Sequence, residues 1–332
     1  MPGALVMTEV EPGVYAGEKI TPIASCGLYV PRGKGSFPSV MVMLGVPAVV
    51  AGVEDLCVVS PPDRNGMADP ATLVAARACG ISRVYKAGGV QAVAALAYGA
   101  APVPRMDKII GPGNPYVSAA KRLLFGVVDV GLPAGPSESI ILADETTDPR
   151  IAALDLLIEA EHGPDSCALL VTDCETVARD VARRAEALVK KLPEPRRSFC
   201  VSGFKKYGGI VLTSSRAQSI EFTNRFAPEH LEILVAEPFA ALAQIKHAGE
   251  ILIGPHTPIT TGNFCLGIDA ILPTGGFART FSGVSVYDFL KRASVGYVTE
   301  QGLESIGPPA ATLAEYEGFP AHARAVRDRK LK

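Results

Sequence analysis

The sequence predicts an α/β protein built from two parallel-sheet, incompletely Rossmann-like domains and a small helical C-terminal appendage. Three observations carry this expectation. From Gly27 to Ile253, short β-branched runs alternate with Ala-rich segments, the pattern of parallel sheets covered on both faces. The length of 332 residues suits two cores, taking about 150 residues per domain. A Gly/Pro cluster, Gly131-Leu132-Pro133-Ala134-Gly135-Pro136, breaks the composition midway and marks a joint.

In order, residues 1–27 are polar and turn-rich and are expected to be an arm. Residues 28–136 form the first α/β domain, with strands at 56–60, 84–87 and 108–110 followed by helices at 70–79, 90–98 and 116–125. Residues 137–285 form the second, with strands at 139–143, 168–172, 210–213, 231–235 and 250–253 and helices at 148–160, 176–190, 216–225 and 239–247. Residues 286–332 read as helical without strands. Ligands in such folds are expected at the carboxyl ends of strands.

Composition excludes several classes of function. No apolar run approaches the roughly 20 residues of a membrane span, and Met1-Pro2-Gly3-Ala4-Leu5 lacks the blocks of a signal peptide, so a cytoplasmic location is expected. The seven cysteines (Cys26, Cys57, Cys79, Cys167, Cys174, Cys200, Cys265) are scattered without a CxxC pair and read as reduced core residues. A net charge of −2 argues against nucleic acid, which demands a clustered basic surface.

Ala227-Pro228-Glu229-His230-Leu231 is the stretch on which chemistry centres. The proline precedes two adjacent titratable residues, and an apolar strand follows, so a carboxylate and an imidazole are fixed at a strand mouth. Such a pair supplies a proton acceptor near neutral pH and a group that activates water; the alternative is a turn carboxylate beside a satisfied histidine. Gly111-Pro112-Gly113-Asn114-Pro115 and Gly88-Gly89-Val90-Gln91 lie between strand and helix, where glycines admit a ligand and a helix start favours an anion. Tight βα turns are the alternative there. Pro31-Arg32-Gly33-Lys34-Gly35-Ser36 lacks the spacing of a phosphate loop. Glu159 and His162, spaced i,i+3, project from one helix face as metal ligands must, or else form an acidic last turn with a dipole-compensating histidine.

Together these fragments resemble the histidinol dehydrogenase family, from about Ile20 to Arg327. The carriers are Gly27-Leu28-Tyr29-Val30-Pro31, Gly88-Gly89-Val90-Gln91-Ala92, Gly111-Pro112-Gly113-Asn114, Ala134-Gly135-Pro136-Ser137-Glu138, Glu161-His162-Gly163-Pro164, Pro228-Glu229-His230-Leu231, Leu272-Pro273-Thr274-Gly275-Gly276, Val286-Tyr287-Asp288-Phe289 and Glu317-Gly318-Phe319-Pro320-Ala321-His322. The resemblance implies a homodimeric, zinc-containing, NAD-dependent enzyme that oxidises a primary alcohol through an aldehyde to a carboxylate. It implies Glu229 as activator of water and His230 as general base. It places NAD at Tyr29, Gln91 and Asn114, substrate at Ser137 and Glu317, and zinc at Glu159, His162, Asn263 and a partner-contributed His322. Residues 28–136 then bind NAD, residues 137–285 carry catalysis and metal, and residues 286–332 dimerise.

Three departures accompany the resemblance. Glu159 stands where the family has glutamine, and Asn263 where it has aspartate, a carboxamide and a carboxylate exchanged with unchanged charge. Asp269-Ala270 replaces the family's Asn-His, and Ile259 replaces an acidic residue. The family's N-terminal portion, which helps build one α/β unit and the dimer, is expected to be absent. Histidinol is the default substrate; the alternatives are another small polar alcohol, or a catalytically silent homologue.

Overall fold

A computed structural model describes residues 3–33 and 35–329. They divide into two units, Met1–Pro22 with Leu290–Lys332, and Ile23–Phe289. The chain opens with β1 (Leu5–Glu11) paired antiparallel to β2 (Val14–Pro22).

The larger unit begins with β3 (Ser25–Tyr29), α1 (Pro38–Ala51), β4 (Asp55–Val59), α2 (Pro70–Ala78), β5 (Val84–Tyr85), α3 (Gly89–Tyr98), β6 (Lys108–Ile110) and α4 (Pro115–Leu124). The strands make a parallel sheet ordered β5-β4-β3-β6. Because the chain runs outward from β3 to β5 and returns to the other side of β3, the topological switch lies between β3 and β6.

The same unit continues through β7 (Glu138–Ala143), α5 (Pro149–Ala160), β8 (Cys167–Thr172), α6 (Glu175–Val189), α7 (Arg196–Lys206), β9 (Gly209–Leu212), α8 (Arg216–Phe226), β10 (His230–Leu234), α9 (Pro238–Leu242), β11 (Glu250–Ile253) and α10 (Ile259–Phe264). Its parallel sheet is ordered β11-β10-β7-β8-β9.

Helix starts follow from local chemistry. Asp69, Asn114 and Asp148 each precede a proline, and each side chain accepts a backbone N–H of the first turn while the proline occupies a position that needs no donor. The period of two divides the larger sheet between two cores. Ile141, Ala143, Ala168 and Leu170 pack under α5 and α6, while Ile140, Leu142, Leu169, Val171, Leu231 and Ile233 pack with Ile220 of α8 on the opposite face. On β10 this leaves His230, Glu232 and Leu234 facing α5.

The smaller unit closes with β12 (Leu290–Val298), α11 (Glu300–Tyr316) and α12 (Pro320–Arg327). β12 pairs antiparallel with β2, and the Tyr15 and Tyr297 rings stand 5.8 Å apart across that ladder. Two expectations change here. The segment expected to be an arm supplies two strands of a sheet, and the appendage expected to lack strands supplies its third. β12 is largely exposed and β2 mostly half-buried, so no strongly apolar face marks the pair in the sequence, and each of the two strands finds its partner far away in the chain.

Candidate active site

Tyr29 ends β3, and its hydroxyl oxygen accepts a hydrogen bond from the Gly89 N–H at 2.9 Å. Gln91 folds over the same turn, since a Cβ on Gly89 would meet Gln91 Oε1 at 2.9 Å. Asn114 caps α4, its Oδ1 accepting from the N–H groups of Tyr116 and Val117, which leaves its amide nitrogen to donate elsewhere. Gly111 adopts φ 132°, and a Cβ there would lie 2.1 Å from the Tyr29 carbonyl oxygen. A backbone-to-backbone approach that only glycine permits thus falls at the carboxyl ends of β3 and β6, at the switch point where open α/β sheets receive ligands. Gly111→Ala is expected to cost about 2–4 kcal/mol, from a positive φ and a backbone clash together; chemical denaturation would measure it.

The Glu229-His230 pair lies elsewhere, at the amino ends of the larger sheet. Glu229 precedes β10 and is 7% exposed, and its Oε2 accepts the Glu138 N–H from the start of β7 at 2.9 Å. His230 is 3% exposed, with Nδ1 2.6 Å from Glu250 Oε2 and Nε2 3.9 Å from both Glu159 Oε1 and Glu229 Oε2. The expectation of strand carboxyl ends therefore fails for this half of the site. The last turn of α5, antiparallel to the strands, reaches the amino edge of the sheet and delivers Glu159 and His162 there.

Glu159 is 0% exposed, and neither carboxylate oxygen has a hydrogen-bond partner among the described residues, although His162 Nδ1 stands 3.4 Å from Oε2. A buried carboxylate without donors is costly unless a cation meets it, so this acid fits a metal ligand better than a helix-end ornament. Ser137 Oγ lies 3.2 Å from His162 Nδ1. Asn263 sits on α10, which packs against α5, and a Cβ on its neighbour Gly262 would lie 2.5 Å from Glu250 Oε1. The structure thus brings Ser137, Glu159, His162, Glu229 and His230 together and places Asn263 on an abutting helix. Among the described residues no three His, Cys, Asp or Glu side chains are disposed to hold a metal by themselves. Glu317 and His322 are exposed in the smaller unit, at the end of α11 and on α12, with the His322 ring 5.2 Å from that of Phe319.

Electrostatics at the pair are set by burial and crowding. Burial pulls the His230 imidazole down, but Glu159, Glu229 and Glu250 outweigh it and lift the group to about 9. Burial raises the Glu229 carboxyl to about 8, with Glu159 adding and His230 opposing. Behind them, burial and the facing Asp155 push Glu232 to about 9, and burial lifts Asp155 to about 6. Glu232 lacks a hydrogen-bond partner among the described residues while both acids are ionised, and the two bond only when one holds a proton. Asp155, Glu232 and Glu250 are the residues that sequence reasoning missed. Glu232 interrupts an otherwise apolar strand, and that was the available signal. A cavity of about 670 Å³ lies beyond Glu138, lined by Lys121, Pro136, Cys167, Lys206, Phe226 and Thr274 among others, and the Glu229-His230 pair does not line it.

Glycine turns at the carboxyl ends of one parallel sheet, joined in one unit to a buried acid–imidazole pair on another, fit the class of nucleotide-dependent oxidoreductases. Comparison with known proteins agrees. The family model for histidinol dehydrogenase matches residues 1–330. A histidinol dehydrogenase from Synechocystis sp. is 56% identical over 330 residues, covering 99% of this chain and 76% of the relative. A histidinol dehydrogenase homolog from Rhizobium meliloti is 55% identical over 337 residues, 100% of this chain and 74% of the relative. The crystal structure of histidinol dehydrogenase from Elizabethkingia anophelis superposes with a TM-score of 0.93 at 36% identity, over 99% of this chain and 76% of that one. The chain belongs to the histidinol dehydrogenase family and is an NAD-dependent oxidoreductase.

Proposed function

We propose that this enzyme oxidises L-histidinol through the aldehyde to L-histidine, with two hydride transfers to successive NAD molecules, as a cytoplasmic homodimer in histidine biosynthesis. The observation that carries the reading is the burial of Glu229 and His230 against the donorless carboxylate of Glu159. His230 takes the proton from the alcohol at Nε2, and after hydration it takes the proton from the aldehyde hydrate. Glu229, held by the Glu138 N–H, removes a proton from the water that adds to the aldehyde; a carboxyl raised to about 8 is a base matched to slightly alkaline operation. Tyr29, Gln91 and Asn114 would hold NAD, which would supply the hydride acceptor for each oxidation, so alcohol to aldehyde and hydrate to carboxylate would consume two equivalents.

Glu159, His162, Asn263 and a partner subunit's counterpart of His322 would hold zinc, which when bound orients the substrate's amino and imidazole nitrogens. Ser137, against His162, and Glu317 would contact the substrate. Domain roles follow: residues 28–136 for NAD, 137–285 for catalysis and metal, 286–332 for dimerisation.

A second reading, oxidation of another small polar alcohol, is favoured by Ile259 and Ala270. Ile259 is buried at the start of α10, and Ala270 offers no polar group where the family places histidine. Losing one polar partner in a desolvated pocket costs on the order of 1–3 kcal/mol, enough to redirect substrate choice. A side-by-side screen of NAD reduction decides. Histidinol is expected to turn over; vigorous oxidation of a non-imidazole alcohol with none of histidinol would select the second reading. Failure to form NADH with any alcohol in the screen would mark a silent homologue.

A further inference from the structure

Glu250 is buried, begins β11, and lies directly opposite His230 in the parallel β10–β11 ladder, so both side chains leave the same face of the sheet. Its Oε2 is 2.6 Å from His230 Nδ1, whereas its Oε1 has no hydrogen-bond partner among the described residues and presses against Gly262 on α10. Nothing about the motif Pro228-Glu229-His230 requires this acid, which lies 20 residues downstream and outside it.

We propose that Glu250 is a positioning residue for the oxidation: it accepts the Nδ1–H of His230, holds the imidazole plane, and keeps the Nε2 lone pair aimed toward the space bounded by Glu159 and Glu229. An ionised carboxylate can only accept, so the ring must donate at Nδ1 and present Nε2 as base. Without that acceptor, the remaining carboxylates around the ring compete for its proton, and a Nε2–H tautomer facing Glu159 and Glu229 becomes available. That tautomer cannot take a proton from an alcohol. Contact with α10 adds a second constraint, because any side chain at position 262 would collide with Oε1. The inference rests on His230 acting as the general base of the proposed reaction.

The test compares wild type with Glu250→Gln and Glu250→Ala, assayed with histidinol and NAD, and records ¹⁵N-histidine spectra of each above the pH of about 9 at which the ring becomes neutral. The chain has five histidines, so the His230 signal is resolvable and is assigned by its loss in His230→Asn. Both variants are expected to lose about 10–100-fold in kcat, the usual cost of an orienting partner, with KM changed less than about threefold. The Gln variant, in which the amide can donate to Nδ1, should move the proton to Nε2 in the spectrum. Variants with kcat within about twofold of wild type, or an unaltered His230 tautomer in Glu250→Gln, would overturn the proposal. If Glu250→Ala does not fold, the isosteric Gln variant decides alone. If wild type oxidises no alcohol, the function reading fails while the tautomer comparison still tests Glu250.

Discussion

His230→Asn is expected to lower kcat by on the order of 10³-fold, within the range that positioned general bases contribute, and to leave KM for substrate nearly unchanged. Asparagine fills similar space and can still donate toward Glu250, so the strand mouth keeps its shape while Nε2 disappears. Both halves of the reaction are affected, because one imidazole serves the alcohol and the hydrate. Glu229→Gln should separate them: aldehyde formation persists, and water addition slows. Steady-state kinetics started from the alcohol and, separately, from the aldehyde would show this split, and equal loss from both starting points would remove Glu229 from the water step. The rate should also rise with pH as the imidazole, lifted against its burial to about 9 by Glu159, Glu229 and Glu250, gives up its proton and becomes a base. Stability runs the other way. A group whose pKa is raised on folding stabilises fully below its ordinary value of 6.5, and that contribution is lost as pH climbs through about 9.

What the sequence conveyed and what it withheld divide along physical lines. Strands such as Ser139 to Ala143 and Leu231 to Val235 were legible because burial on both faces leaves a mainly apolar run, broken in the second only by Glu232, and Asp-Pro and Asn-Pro pairs stand at three helix starts. The β1-β2-β12 sheet was not, since its two outer strands are exposed and carry no alternation, and the β2–β12 pairing spans nearly the whole chain. Within the candidate site, the adjacency of Glu229 and His230 and the shared helix face of Glu159 and His162 were visible in the sequence. Glu250 could not, because only the β10–β11 register brings it opposite His230. Asp155 and Glu232 belong to the same class: one sits on α5 and one on β10, and neither segment alone shows that the two faces meet.

The exchange of carboxylate and carboxamide between positions 159 and 263 yields the second large effect. Glu159→Gln restores the residue type the family carries there, but together with Asn263 it leaves two carboxamides and no acid. Zinc affinity should therefore fall by more than the roughly 10–100-fold that loss of an outer partner costs, and kcat with it. Adding Asn263→Asp should recover binding, because the pair again supplies one negative charge. Asn263→Asp alone places two carboxylates at the site and should hold the cation at least as tightly as wild type. Such a sign pattern is a coupling between the two positions, which independent stability effects would not produce. Metal content of the four purified proteins reads it directly. The same substitution has a second readout: Glu159 is the largest upward influence on His230, opposing the pull of burial, so in metal-stripped Glu159→Gln the imidazole should titrate below the wild-type value of about 9. Full activity in protein free of metal would end the zinc assignment, and additive losses in the two single variants would end the exchange. Because Glu159 is fully buried with no donor for either oxygen among the described residues, the stripped Gln variant should also unfold at a higher temperature than stripped wild type, a gain that vanishes once zinc is restored.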